Sequence, residues 1–172
     1  MKKLIYFALI LLIASCSSDK LDREKAFQII KKSGMYPKAS SYRIFTADPT
    51  FARRMLAAGL ESSGMLRVKR TQTLSEEGQP IITFTEKAQP YLLETPEKYK
   101  DDNVRVVKLA DEDLEEVTGI QMVNNNQAVV EYTTSYKNIS PFKVLSEDDL
   151  EGKKTYKANF SLYDDGWRME KN

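Results

Sequence analysis

The chain has no histidine and a single cysteine, Cys16, in 172 residues. Without imidazole there is no Ser–His triad, no histidine-based metalloenzyme site and no side chain whose ordinary pKa lies near neutral pH. Without a second thiol there is no intrachain disulfide and no cysteine–zinc site. Seven glycines are few, and they fall in no phosphate-cradling pattern. Beyond the N-terminus no apolar run approaches the roughly 20 residues that a membrane helix needs. An excess of positive charge is missing too. The net charge is +1 with Lys2 and Lys3 counted, and −1 without those two lysines. That balance gives no hold on nucleic acid. The remaining composition, 41% hydrophobic and 30% charged, describes an ordinary body able to bury a core by packing alone.

What is present starts at the N-terminus. Lys2 and Lys3 precede an apolar run from Leu4 to Ile13, followed by small residues. A charged head, an apolar segment and a small-residue cleavage point are the three parts of a secretory signal. The last four residues, Ile13-Ala14-Ser15-Cys16, resemble the lipobox of bacterial lipoproteins. The resemblance implies that 1–15 is a cleaved signal peptide. Cys16 then carries diacylglycerol on its thiol and a fatty acyl group such as palmitate on its new amino group. Residues 16–20 become a lipidated tether, and the membrane is the first partner. In lipoproteins of double-membrane bacteria a serine after the cysteine goes with release to the outer membrane, so Ser17 implies that location in the cell envelope.

The body reads as α+β. Asp22 caps a helix over Leu21 to Ser33, with Ala26, Phe27, Ile29 and Ile30 on its apolar side and Gly34 as its stop. Ser41 to Thr46 is a short extended piece. Asp48-Pro49 opens a second helix that carries Phe51, Ala52, Met55, Leu56 and Leu60, with Gly64 preferred over Gly59 as its end. Strands are expected over Leu66 to Leu74 and Ile81 to Thr85. This order, ending in Thr85-Glu86-Lys87-Ala88, resembles winged-helix domains, whose wing often closes in Thr-Glu-Lys-Gly; Ala88 stands in the glycine's place. The resemblance implies a winged-helix-like module with a two-stranded wing over 21–95, used as a scaffold because its second helix offers only Arg53 and Arg54.

The polar stretch Thr95 to Asn103 is the expected seam between two halves. An antiparallel β module follows over 103–172. Its expected strands are Val104 to Leu109, Val117 to Val123 after an acidic bend at Asp111 to Glu116, Ala128 to Lys137, and Thr155 to Tyr163, then a tight turn at Asp164-Asp165-Gly166. Asn138 to Gly152 reads as a long polar connection. The closing phrase from Leu162 to Glu170 is similar to the final hairpin of cystatin-like and nuclear-transport-factor-like folds. Those folds lay a long helix across the sheet, and the sequence offers none after Asn103.

No motif assigns an activity. The carboxylates Asp111, Asp113, Glu115, Glu116, Asp148, Asp149 and Glu151 carry no calcium-loop pattern. No Ser-x-x-Lys phrase accompanies Ser33. Aromatic residues concentrate in the strand half, and Tyr132, Tyr136, Tyr156 and Trp167 are the candidate ligand-facing side chains. The expected function is a lipid-anchored, non-catalytic binding or assembly module without a cofactor. Its expected partner is an envelope protein or an apolar or peptide ligand. A carboxylate-based envelope hydrolase is the rival reading. A third is an inhibitor or immunity protein acting through the 138–152 loop.

Overall fold

The computed structural model describes residues 20–171, so Cys16 and the leader lie outside the described residues. The fold is α+β and dominated by one curled antiparallel sheet. Helices α1 (Arg23–Lys32) and α2 (Pro49–Ala57) accompany strands β1 (Lys38–Phe45), β2 (Leu66–Val68), β3 (Ile82–Phe84), β4 (Leu92–Leu93), β5 (Val104–Asn124), β6 (Gln127–Lys137), β7 (Lys154–Tyr163) and β8 (Gly166–Met169). The main sheet runs β1-β5-β6-β7-β8, with β4 beside the first part of β5, while β2 and β3 pair separately.

Both helices begin where side-chain chemistry dictates. The Asp22 carboxylate accepts the Lys25 N–H at 2.7 Å, and Leu21, Ala26 and Ile30 are buried beneath the helix. Asp48 accepts the Thr50 N–H at 2.6 Å, with Pro49 in the first turn. The end of α2 differs from expectation: Gly59, not Gly64, supplies the stop. Gly59 sits at φ +70°, its N–H reaches the Leu56 carbonyl at 3.0 Å and the Leu60 N–H reaches that of Met55 at 3.1 Å. That pair of bonds satisfies carbonyls the last turn would otherwise leave open. The strand expected to run to Leu74 stops at Val68. Glu61 takes both the Val68 N–H, at 2.7 Å, and the Arg70 guanidinium. The polar residues after Val68 have no apolar face to bury, and they turn instead.

The acidic bend expected at Asp111 to Glu116 is continuous strand. Strand β5 runs 21 residues through it. Opposite charges neutralise the run: Lys108 holds Asp111, to which the neutral Asn138 amide also donates, Lys137 holds Asp113 and Lys153 holds Glu115. Shifts of register against β6 between Leu114 and Glu116, and again between Val117 and Gly119, bend the ribbon without breaking it. The 138–152 connection is also more ordered than its polarity suggests. Ser140 caps a 3-10 turn over Pro141–Leu145, and Phe142, Leu145 and Leu150 are buried.

Two cores share β5. Val107, Leu109 and Ala110 join Ile44, Met55, Leu60, Met65, Ile82, Phe142 and Leu145 in the first. Leu114 and Val117 join Ile30, Ala128, Val130, Tyr132, Phe160 and Trp167 in the second. The helix packed on the later strands is α1, from the opposite end of the chain. Strand β1 likewise crosses the 95–103 stretch to pair with β5 along its length.

Candidate functional site

A polar knot marks the border between the two cores. Strand β1 opens at Lys38, which lies directly opposite Glu112 in the β1–β5 register. Thr134 of β6 and Tyr156 of β7 reach the same carboxylate. Lys38 Nζ stands 2.9 Å from Glu112 Oε2, and the Thr134 and Tyr156 hydroxyls each donate to Oε1 at 2.8 Å. Glu112 is only 3% exposed, whereas Lys38 is 53% exposed and keeps one side in water. Burial pushes the Glu112 carboxyl up, but the hydrogen bonds from Lys38, Thr134 and Tyr156 outweigh it and hold the group below the usual carboxylate range. Burial and the bond to Glu112 push the Tyr156 phenol up to about 12.

The aromatic rings continue from this knot. Tyr156 stacks on Tyr132 with centroids 5.7 Å apart and planes at 24°. Tyr132 meets Tyr36 edge-on at 6.1 Å, and their hydroxyls lie 3.3 Å apart. Burial first, and Tyr132 second, push the Tyr36 phenol well above its ordinary value. Lys38 Nζ sits 5.9 Å from the Tyr36 ring centre and 5.7 Å from that of Tyr156. Glu112 is therefore charged and fully partnered at neutral pH. It acts as a clasp tying β1 to β7 across the sheet. A general acid needs the reverse shift, a proton held to higher pH.

Beside Tyr132 the surface opens into a groove of about 650 Å³, floored by apolar side chains. Ile29 and Met35, from the end of α1 and just beyond it, form one wall. Tyr132, Ala158, Trp167 and Met169 line the rest. The charged residues at its margin are Lys32, Lys157, Arg168, Glu170 and Lys171. Arg168 is engaged by Asp165, Glu170 by the Ser161 hydroxyl, and Lys157 faces Glu131 at 3.8 Å. The groove exists because β8 is short. It covers β7 only from Phe160 to Tyr163, and the Glu170 N–H then makes one more bond, to the Asn159 carbonyl at 2.9 Å.

The four aromatic residues singled out in the sequence divide three ways. Tyr132 and Trp167 line the groove; Trp167 is 6% exposed and also anchors the second core. Tyr156 sits behind them in the polar knot. Tyr136 packs at the first core, with Lys154 Nζ 5.6 Å from its ring centre. Cys16 lies outside the described residues. Sequence reasoning missed Tyr36, Lys38 and Glu112, whose signal was one acid in a run of acids and one lysine among many. Asp148 faces Lys154 at 2.8 Å and Glu151 faces Lys143 at 3.6 Å. Among the described residues no group of three acidic, histidine or cysteine side chains could hold a metal ion, and no helix is long and apolar enough to cross a membrane.

No family model matches the chain, and no curated protein or solved structure matches it.

Proposed function

We propose that the protein is a bacterial envelope lipoprotein, held at the outer membrane through Cys16, whose body is a non-catalytic binding module. In this reading residues 21–95 are a winged-helix-like scaffold with β2–β3 as its wing, and its β1 and β4 join the sheet of the 103–172 module. The groove beside Tyr132 and Trp167 is the working surface. The observation that carries the reading is this apolar floor, left open between α1 and β7–β8 on a body whose buried carboxylate is fully paired. Ligand pockets of this size are commonly apolar with a few charged groups fixing orientation. The tether supplies retention: each buried CH₂ contributes about 0.8 kcal/mol, and a second and third acyl chain turn marginal binding into durable anchoring.

The test has two arms. Cys16→Ser should move the protein out of the membrane fraction or leave it unprocessed. An anionic apolar dye should bind the body and accept energy from Trp167, the one tryptophan of the chain. Met35→Glu, at a position 41% exposed, should weaken dye binding about tenfold while leaving the fold intact. Unchanged membrane retention refutes the anchor; dye binding blind to Met35 refutes the groove.

A further inference from the structure

The groove has a feature that its apolar floor does not explain: it opens onto a sheet edge that is bare among the described residues. Strand β7 pairs with β6 from Lys154 to Ser161, but with β8 only from Phe160 onward. Backbone direction alternates along a strand. The Asn159 carbonyl points to the β8 side, where it accepts the Glu170 N–H, and the Leu162 N–H points to the β6 side, where it meets the Asn126 carbonyl. Thr155 and Lys157 share the parity of Asn159. Their N–H and C=O groups therefore point outward, and among the described residues no backbone partner meets them. Thr155 and Lys157 are exposed, and Lys157 and Ala158 of this same edge line the groove.

An open edge can take a second copy of the chain or a foreign strand. Charge decides between them. Antiparallel pairing of two β7 edges through Thr155 and Lys157 sets Lys157 of one copy opposite or diagonal to that of the other, and like charges across strands are unfavourable. Lys32 and Lys171, at the same groove, have no ion-pair partner among the described residues. The margin holds four cations against one acid.

We propose that the groove binds an extended peptide of alternating acidic and apolar residues, which adds as a strand to β7 at Thr155 and Lys157. Main-chain bonds to the edge supply register. Alternate apolar side chains enter between Met35 and Met169, and the acids, which point to the opposite face of the sheet, meet Lys157. This names the partner chemistry of the groove reading and rests on it.

The test uses the full chain in phosphatidylcholine vesicles, with Trp167 emission as the reporter. The probe is an eight-residue peptide alternating Asp or Glu with Val. It should shift the emission saturably, and a Lys-for-acid peptide should bind at least tenfold more weakly. Methylating the peptide nitrogens that face the edge should cost another tenfold or more without touching the protein. Thr155→Pro removes an outward N–H at an edge position where proline is tolerated, and should reproduce that loss while Thr155→Ala does not. Equal binding of acidic and basic peptides, or indifference to N-methylation, overturns strand addition. Concentration-dependent dimerisation that the acidic peptide does not reverse overturns it in favour of self-pairing. If dye binding at Trp167 persists when the peptides fail, the groove stands and only the strand partner falls.

Discussion

The two ends of β5 are closed in opposite ways. Around its first half, a helix, a short hairpin and the turn at Pro141–Leu145 converge on residues with almost no exposure, among them Ile44, Met55, Val107 and Phe142. Around its second half, one helix lies on long strands whose register shifts where β5 meets β6, and the cover stops short at β8. The apolar groove lies where β8 ends short on β7, beside the end of α1, whereas the opening of about 830 Å³ beside β2 and β3 carries the charges of Glu61, Arg67, Glu86 and Lys87. The Glu112 knot sits where the two styles meet, and it lets one strand serve both.

Breaking the closed half should cost most. Phe142 is fully buried and touches Phe84 and Tyr91 with ring centres 6.1 and 6.3 Å away. Phe142→Ala is expected to cost about 4 kcal/mol in urea unfolding. Hydrogen exchange should speed up first around α2 and β3, with the groove's dye binding unchanged. Trp167→Ala should cost about 3 kcal/mol and act on the other half, loosening α1 and abolishing dye binding, read here from the dye's own emission because the variant has no energy donor. Equal loosening of both halves by either variant would mean that the cores are one.

The border comes next. Glu112→Gln is expected to cost about 2 kcal/mol at neutral pH, because Lys38 can turn to water while Thr134 and Tyr156 lose a charged acceptor. Its sign with pH follows from the lowered carboxyl: the contribution is present above the unfolded value of about 4.3 and is lost as pH falls through the folded one. Acid unfolding of the variant should therefore be shallower. It should not be flat, since the Lys69 ammonium and the Thr73 N–H hold Glu76 near about 2. Tyr156→Phe is the smallest change, about 1 kcal/mol. The raised phenol stabilises the fold below its unfolded value near 10, and that support is lost as pH rises through about 12. The variant should lose that part of the alkaline limb in a pH series of melting temperatures and keep the part that the raised Tyr36 phenol contributes.

Elements whose cause is local were legible in the sequence. Asp22 and Asp48-Pro49 cap their helices by bonds spanning two or three residues, and the β6 and β7–β8 alternation follows from period two. Elements whose cause is distant were not. The acids of β5 read as a bend until Lys137 of β6 and Lys153, just ahead of β7, arrive from farther along the chain. Phe142 and Leu145 read as a polar loop because apolar partners such as Phe84, Tyr91 and Leu109 precede them by thirty residues or more. The site divides in the same way. Tyr132 and Trp167 belong to strands with clear faces, whereas Lys38, Glu112 and Tyr156 become a unit only through sheet register.

The anchor is tested most directly by mass spectrometry of the N-terminal peptide from the isolated outer-membrane fraction. The account predicts a peptide beginning at Cys16 and carrying diacylglycerol with an amide-linked fatty acid. An unmodified Cys16 with 1–15 still attached, in protein recovered from the cytosol, would contradict it.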